Sequence, residues 1–221
     1  RLYVDTGGFN INWFSISAGG SGTGFTVCGV NFCKNGSVFR FHGMDRSGLE
    51  TACSDSMIQT DFNNMRNNWN ANVVRLALSQ DNWLSNCNGY QNNVANEYNM
   101  ATNAGLNVIF DLHWNQGGQQ LMADSNSVIF WKQMADTYKN RSNVIFELYN
   151  EPELISASCW RYGGSGCPAV GNQQMVGMQT LADTIRGEGA NNLLLVGGVN
   201  WAYDFSALTS VLPLPEANVG Y

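Results

Sequence analysis

Five apolar segments alternate with amphipathic segments along most of the chain, and this alternation constrains the fold more than any other feature. The apolar segments have strand character and span residues 38–43, 73–78, 108–112, 144–149 and 193–199. The segments between them, near 58–69, 95–104, 128–138 and 175–185, carry apolar side chains at helical spacing. Strands that are apolar on both faces are typical of a parallel sheet covered by helices. The pattern therefore predicts an α/β fold built from successive βα units.

The end of the first strand separates two kinds of α/β fold. A doubly wound nucleotide-binding domain has a glycine-rich fingerprint at this point, whereas this chain has Met44-Asp45-Arg46-Ser47-Gly48. The absence of that fingerprint favours a (β/α)8 TIM barrel. Five βα units are visible in the sequence, so we expect only the first five units of such a barrel.

The first part of the chain has a different pattern. Residues 1–18 read as strand, turn and strand, and residues 19–24 are a Gly/Ser linker by composition. After the linker, Phe25 to Phe39 suggests a hairpin, in which Asn35-Gly36 is a strong type I′ turn signal. We therefore expect residues 1–18 and residues 25–221 to belong to different structural units.

The charge and the apolar content exclude two kinds of partner. The formal net charge is −6, only 13% of the residues are charged, and the sequence has no run of lysine or arginine. Nucleic-acid binding requires a basic patch, and an anionic membrane surface attracts polybasic segments. No apolar stretch approaches the roughly 18 residues of a membrane-spanning helix. We expect no nucleic-acid partner and no membrane partner.

The six cysteines indicate disulfides in an oxidising compartment, which predicts a secreted protein. No CxxC pair occurs and the chain has only two histidines, so we expect no metal site and no cofactor. Six cysteines allow 15 pairings, which the sequence leaves open. The candidates are Cys28, Cys33, Cys53, Cys87, Cys159 and Cys167.

Polar and aromatic side chains follow the predicted strands, where the chemistry of parallel α/β folds is found. They are Asp45, Arg46, Arg75, Asp111, His113, Trp114, Asn150, Glu151, Asn200 and Trp201. Indole rings stack on the apolar faces of sugars, and amide or charged groups bind hydroxyls. This set predicts a site for a neutral, polyhydroxylated ligand. Trp69 and Trp131 lie on helical stripes, so we expect them to pack in the core.

Glu151 is the candidate catalytic residue. A carboxyl group at a mostly apolar strand end suits a general acid, because an apolar environment favours its protonated form. Glu147 has the same strand parity but lies roughly 13 Å away at strand spacing, too far for the carboxyl pair of a glycosidase. We interpret Glu147 as a buried structural group. Glu153, two residues beyond Glu151 on a loop, stays open as a partner, although nothing favours it. Asp45 and Asp111 are as consistent with interior ion pairs as with catalysis.

The fourth predicted strand and the residues beside it read Asn143-Val144-Ile145-Phe146-Glu147-Leu148-Tyr149-Asn150-Glu151-Pro152. This segment resembles the signature of glycoside hydrolase family 5, whose members are retaining β-glycanases with an eight-fold barrel. Four further segments, which begin at Gly43, Val73, Asp111 and Gly197, also resemble the family and occur in the same order along the chain. The resemblance implies that Glu151 is the acid/base and that Asn150 binds the sugar 2-hydroxyl. It implies that Arg75 supports the nucleophile and that His113 contacts the sugar at the cleaved bond. Trp114 and Trp201 are expected to bind substrate.

The same resemblance implies a missing part. The family's nucleophile lies at the end of the seventh strand, whereas this chain reaches Asn218–Tyr221 where a sixth strand should begin. We therefore expect a truncated barrel that is inactive alone, with the other barrel half supplied in cis or by a second chain. Open sheet edges predict a marginal, aggregation-prone or oligomeric chain. Residues 1–18 resemble the end of a family 6 carbohydrate-binding module, a β-sandwich.

The expected function is a retaining endo-β-1,4-glycanase, a cellulase that hydrolyses β-glucan by double displacement. One alternative is a non-catalytic glycan-binding protein with the same aromatic rim. The other is a mannan- or xylan-directed glycosidase of the same family.

Overall fold

The computed structural model describes residues 24–114 and 120–221, which form two sheets and a layer of helices. The strands are β1 (Phe25–Cys28), β2 (Asn31–Lys34), β3 (Ser37–Val38), β4 (Gly43–Arg46), β5 (Val73–Ser79), β6 (Asn107–Trp114), β7 (Val144–Glu147), β8 (Leu194–Leu195) and β9 (Val219–Gly220). The helices are α1 (Gln59–Asn67), α2 (Gln80–Ser85), α3 (Tyr90–Asn103), α4 (Ser125–Tyr138), α5 (Ala157–Tyr162) and α6 (Met178–Gly187). The predicted module tail at 1–18, and the linker apart from Gly24, lie outside the described residues.

Strands β4 to β9 form one parallel sheet in which the spatial order is the order along the chain. A doubly wound sheet reverses its strand order at a switch point, and this sheet does not. The prediction of a parallel α/β fold is thus confirmed. The sheet has six strands rather than the five read from the sequence, because β9 is a two-residue strand at the point where a sixth was expected. All six carboxyl ends meet at one edge of the sheet.

The helical layer follows the predicted periodicity except at the two ends of the segment 58–69, where Ile58 is 63% exposed just before α1 and Trp69 lies beyond it. Trp131 on α4 is fully buried, its ring packs on Phe146 of β7, and its indole N–H donates to Leu148 O at 2.9 Å. Trp69, however, is 70% exposed. Helix α1 ends at Asn67, so Trp69 lies beyond the helix and does not continue its core face. The interpretation of Trp69 as a core residue was wrong.

The antiparallel sheet β1–β2–β3 closes the amino-terminal end of the parallel sheet. Phe25 packs in one buried cluster with Val73, Ile109, Ile145 and Leu193 from four successive strand segments. The predicted turn at Asn35-Gly36 joins β2 to β3, and both residues have the positive φ that a type I′ turn requires, 52° and 80°. The hairpin prediction is therefore confirmed.

The predicted strand at 38–43 is wrong in its bounds. Strand β3 ends at Val38 and β4 begins at Gly43. Between them, Phe39 and Phe41 pack against the Phe25 ring with centroids 5.1 Å away in each case. This aromatic packing makes the segment a connection across the amino-terminal end of the parallel sheet rather than a strand.

Three disulfides join Cys28 to Cys33, Cys53 to Cys87 and Cys159 to Cys167. The first lies within the β1–β2 hairpin. The second links the loop after β4 to the segment after α2, and the third closes the loop after α5. Among the described residues, none of the helices has the length and apolar character needed to cross a membrane.

Candidate active site

The guanidinium of Arg75 is the centre of the polar groups at the carboxyl edge of the sheet. Its Nε and Nη2 donate to the two carboxylate oxygens of Glu147 at 2.7 and 3.1 Å. Nη2 also lies 2.8 Å from Asp111 Oδ2 and donates to Asn150 Oδ1 at 2.7 Å. Nη1 donates to Asp45 Oδ1 at 3.1 Å. One cation thus binds carboxylates from β4, β6 and β7.

Burial and charge set the ionisation of this cluster. Asp111 is fully buried, and Arg75 is mostly buried. Burial of Arg75 opposes its charge, but the carboxylates of Asp111 and Glu147 outweigh burial and raise the pKa of the guanidinium. Burial raises the pKa of Glu147, while Arg75 acts in the opposite direction. Because both oxygens of Glu147 are bound to Arg75, its carboxylate has the structural role expected from the sequence.

His113 connects the cluster to the amide of Asn150. Its Nδ1 lies 2.6 Å from Asp111 Oδ2, and its Nε2 lies 3.4 Å from Asn150 Nδ2. A carboxylate only accepts hydrogen bonds, so Nδ1 carries a proton and donates to Asp111. Asn150 Oδ1 accepts from Arg75, which leaves the Asn150 amide N–H directed at Nε2. Burial is the largest single influence and lowers the pKa of His113, but the hydrogen bond to Asp111 and the negative charge of Asp111 together outweigh burial and raise the pKa overall.

Glu151 follows Asn150 directly and lies half-buried at the rim. The backbone around it is held on both sides: Asn150 N–H donates to Leu112 O at 3.0 Å, and Glu153 N–H donates to Leu121 O at 2.8 Å. Pro152 O accepts a hydrogen bond from Trp201 N–H at 2.8 Å. The Glu151 carboxyl therefore extends from a fixed segment between the Asn150 cluster and the turn that carries Trp201.

The predicted site residues do not all receive the same support. The structure brings Arg75, His113 and Asn150 into one hydrogen-bonded cluster with Glu151 next in sequence. Trp201 lies on the neighbouring loop after β8, and its side chain is 50% exposed. Trp114 ends β6, and its side chain lies outside the described part of the structure. The roles assigned to these residues stay predictions.

Sequence reasoning left Asp45 and Asp111 undecided and did not pair Glu147 with Arg75. All three carboxylates are partners of Arg75. The sequence indicated part of this arrangement. Arg75, Asp111 and Glu147 have the same strand parity as Val73, Ile109 and Ile145, which belong to one buried cluster on the same face of the sheet. Parity shows that these side chains face the same interior, but it does not give the register that brings them together.

Comparison with known proteins identifies the family. The family model described as cellulase, glycosyl hydrolase family 5, matches residues 33–221. The chain is 26% identical to endoglucanase E-5 of Thermobifida fusca over 148 residues, which are 65% of this chain and 32% of that protein. It is 26% identical to an endoglucanase of Clostridium saccharobutylicum over 202 residues, 88% of this chain and 41% of that protein. The chain thus spans less than half the length of these relatives.

Solved structures show the same fold. The catalytic domain of the Thermobifida fusca endoglucanase Cel5A superimposes with a TM-score of 0.66 at 20% identity, over 88% of this chain and 62% of that chain. A glutamate-to-glutamine form of that domain, in complex with cellotetraose, gives the same score and coverage. The six-stranded parallel sheet is therefore of the TIM-barrel type. Because the family model covers most of its length, the chain belongs to the cellulase family, glycosyl hydrolase family 5.

Proposed function

We propose that the whole protein is a secreted, retaining endo-β-1,4-glucanase in which Glu151 is the acid/base. The observation that carries this proposal is the placement of Asn150-Glu151 at the carboxyl end of β7, where Arg75 and His113 fix the Asn150 amide from two sides. A neutral amide fixed in this way suits a sugar hydroxyl. The carboxyl that follows it is then set beside the adjoining glycosidic bond.

In the proposed reaction, Glu151 donates its proton to the glycosidic oxygen as the bond from that oxygen to the anomeric carbon breaks. A second carboxylate attacks the anomeric carbon and forms a glycosyl-enzyme intermediate. Glu151, now a carboxylate, removes a proton from the water that hydrolyses this intermediate, so that the configuration is retained. The negative potential of Asp45, Asp111 and Glu147 near the site favours the positive charge that develops on the sugar.

We place the nucleophile outside these 221 residues. Both oxygens of Glu147 are bound to Arg75 and Asp111 is fully buried, so neither carboxylate presents a free oxygen to a sugar. The family's eight-fold barrel would supply the missing group from a further strand, in cis or from a second chain. The purified 221-residue chain should therefore not hydrolyse carboxymethyl-cellulose. Hydrolysis by material free of other chains would contradict this part of the proposal.

The substrate class follows from the rim and from the relatives. Trp201 is half exposed beside the Glu151 loop, which suits stacking on a sugar ring. A Thermobifida fusca relative is described in complex with cellotetraose, which supports β-1,4-glucan over the mannan- or xylan-directed alternatives. Three disulfides support an oxidising compartment and hence secretion.

The test is Glu151→Gln in the whole enzyme, assayed on carboxymethyl-cellulose. Loss of a general acid costs about 10²–10⁴-fold in rate, and glutamine keeps the size of the side chain. Glu153→Gln, two residues along the same loop, is the matched control and should keep nearly full activity. Turnover near that of the wild type in Glu151→Gln would overturn the assignment. Binding of β-glucan without hydrolysis by the wild-type whole protein would favour the non-catalytic alternative.

A further inference from the structure

The turn after β8 has a backbone that L-amino acids disfavour. Asn200, Trp201 and Ala202 have φ values of 55°, 63° and 63°. A single non-glycine residue in this left-handed region is uncommon, and consecutive ones are disfavoured by contacts of Cβ with the backbone. Backbone of this kind persists only where surrounding contacts fix it, and it is concentrated at active sites and ligand clamps.

Asp204 supplies most of the contacts that fix this turn. Its backbone exchanges two hydrogen bonds with Val199, at 3.0 and 2.9 Å. One carboxylate oxygen accepts from the N–H and hydroxyl of Ser206 at 2.7 and 2.6 Å, and the other accepts from the Asn200 amide at 3.3 Å. Gly198 permits the close approach, since a Cβ there would lie 2.5 Å from Asp204 O.

The turn is fixed to the loop of the proposed acid/base as well as to itself. Trp201 N–H donates to Pro152 O at 2.8 Å, one residue beyond Glu151. Beneath the turn, the buried Trp160 indole donates to Gly197 O at 3.0 Å. The position of the turn relative to Glu151 is therefore set before any ligand arrives.

This preset turn presents a second aromatic side chain besides Trp201. Tyr203 N–H donates to Val199 O at 3.0 Å, so its backbone is part of the fixed turn, yet its side chain is 87% exposed. The tyrosine side chain has two rotatable bonds and an amphipathic ring, so it gives a large contact at little entropic cost. Two exposed aromatics on one rigid turn at the rim are suited to neighbouring rings of a polysaccharide.

We propose that Tyr203 is a further sugar-contacting residue, which extends the site outward from Trp201 along the bound β-glucan. The inference rests on the proposed function, because the occupant is the same polysaccharide chain. Trp201, tied to Pro152, contacts the ring nearer the cleaved bond, and Tyr203 contacts a ring farther from it. Asp204 is a positioning residue that holds both aromatics in place.

The proposal predicts an effect that depends on ligand length. The experiment uses the whole enzyme made inactive by Glu151→Gln, with and without the second substitution Tyr203→Ala. Calorimetry measures the affinity of each protein for cellobiose, cellotetraose and cellohexaose. The variant should lose about threefold to tenfold in affinity for cellohexaose, the range of one aromatic contact, and keep its affinity for cellobiose. The control is Trp69→Gln, an exposed aromatic at the opposite edge of the sheet, which should change neither value.

The outcomes separate the inference from the proposed function. Failure of the Glu151→Gln enzyme to bind any of the three ligands would overturn the proposed function itself. Length-dependent binding that Tyr203→Ala leaves unchanged would overturn the inference alone. Asp204 gives a second test: Asp204→Ala should weaken cellohexaose binding, and Asp204→Asn, which keeps an oxygen acceptor for Ser206, should restore most of it. Equal affinities of the two Asp204 variants would contradict the positioning role.

Discussion

Arg75 and Glu147, 72 residues apart in the chain, form a two-point ion pair in which Nε and Nη2 of the guanidinium bind the two carboxylate oxygens at 2.7 and 3.1 Å. The planar guanidinium matches a carboxylate in this way, and such paired bonds are stronger than single ones. The same guanidinium also binds Asp45 and Asp111. Arg75 therefore joins its own strand β5 to β4, β6 and β7 by side-chain contacts.

This arrangement predicts an unequal cost for removing the two partners. Arg75→Met leaves three carboxylates without their cation, one of them the fully buried Asp111, and should lower the free energy of unfolding by about 3–5 kcal/mol. Glu147→Gln leaves Arg75 with two carboxylates and should cost less, about 1–3 kcal/mol. Denaturant unfolding at pH 7 measures both values. Equal costs, or a larger cost for Glu147→Gln, would contradict the central role of Arg75.

A second prediction concerns the protonation of His113. Burial lowers its pKa, but the hydrogen bond to Asp111 and the charge of Asp111 together outweigh burial, so that the pKa in the folded chain lies above the ordinary value of about 6.5. Because folding raises the pKa, protonation of His113 favours the folded state. This stabilisation should be fully present below about pH 6.5 and should disappear as the pH rises through the folded pKa.

Nuclear magnetic resonance can measure that pKa directly. The chain has two histidines, so His42→Gln leaves one imidazole to follow. Its titration midpoint should lie above about 6.5, and Asp111→Asn should lower it, since the neutral amide no longer favours the imidazolium. A midpoint below about 6.5 in the chain with Asp111 intact would show that burial outweighs the combined effect of Asp111.

The sequence predicted those parts of the molecule that depend on local pattern. Val73 to Leu78 and Val108 to Leu112 are apolar apart from Arg75 and Asp111, and they form the central strands β5 and β6. Trp131 was correctly placed in the core because it lies within a long amphipathic helix. Trp69 was misplaced because the helical phase ends two residues before it.

The parts that could not be predicted depend on register and on backbone strain. The contact between Arg75 and Glu147 requires the alignment of three strands, and side-chain parity alone does not fix that alignment. The left-handed turn at Asn200, Trp201 and Ala202 contains no glycine that would indicate positive φ in the sequence. Its shape follows from local contacts with Asp204 and from a tertiary hydrogen bond to Pro152. Both features lie at the candidate active site, where local rules are expected to fail.

A third prediction concerns Glu216 in the segment before β9. Burial and a hydrogen bond with Asp183 raise the pKa of Glu216 to about 7 from its ordinary 4.5. The Gln179 amide donates to both Asp183 and Glu216, which brings the two carboxyl groups together. Because folding raises this pKa, the protonated form favours the folded state. The resulting stabilisation is present below pH 4.5 and is lost as the pH rises through about 7.

Glu216→Gln should remove this pH dependence, since the amide is neutral throughout and can still hydrogen-bond Asp183. The wild-type chain should therefore lose more thermal stability than the variant between pH 5 and pH 8. At pH 8 the variant should be the more stable of the two. Thermal unfolding followed by circular dichroism at several pH values measures both trends. Parallel curves for the two chains would show that Glu216 does not titrate in this range.

The last prediction ranks two of the disulfides by the length of chain that each closes. Cys53–Cys87 has a sequence separation of 34 and Cys28–Cys33 one of 5. In the chain-entropy account, the first restricts the unfolded state by about 4 kcal/mol and the second by about 2 kcal/mol. Replacing both cysteines of a pair by serine should thus destabilise the chain more at 53 and 87 than at 28 and 33. Denaturant unfolding of the two double variants compares the losses directly. A larger loss at Cys28–Cys33 would mean that native contacts of the β1–β2 hairpin, which closes the end of the barrel, outweigh loop entropy.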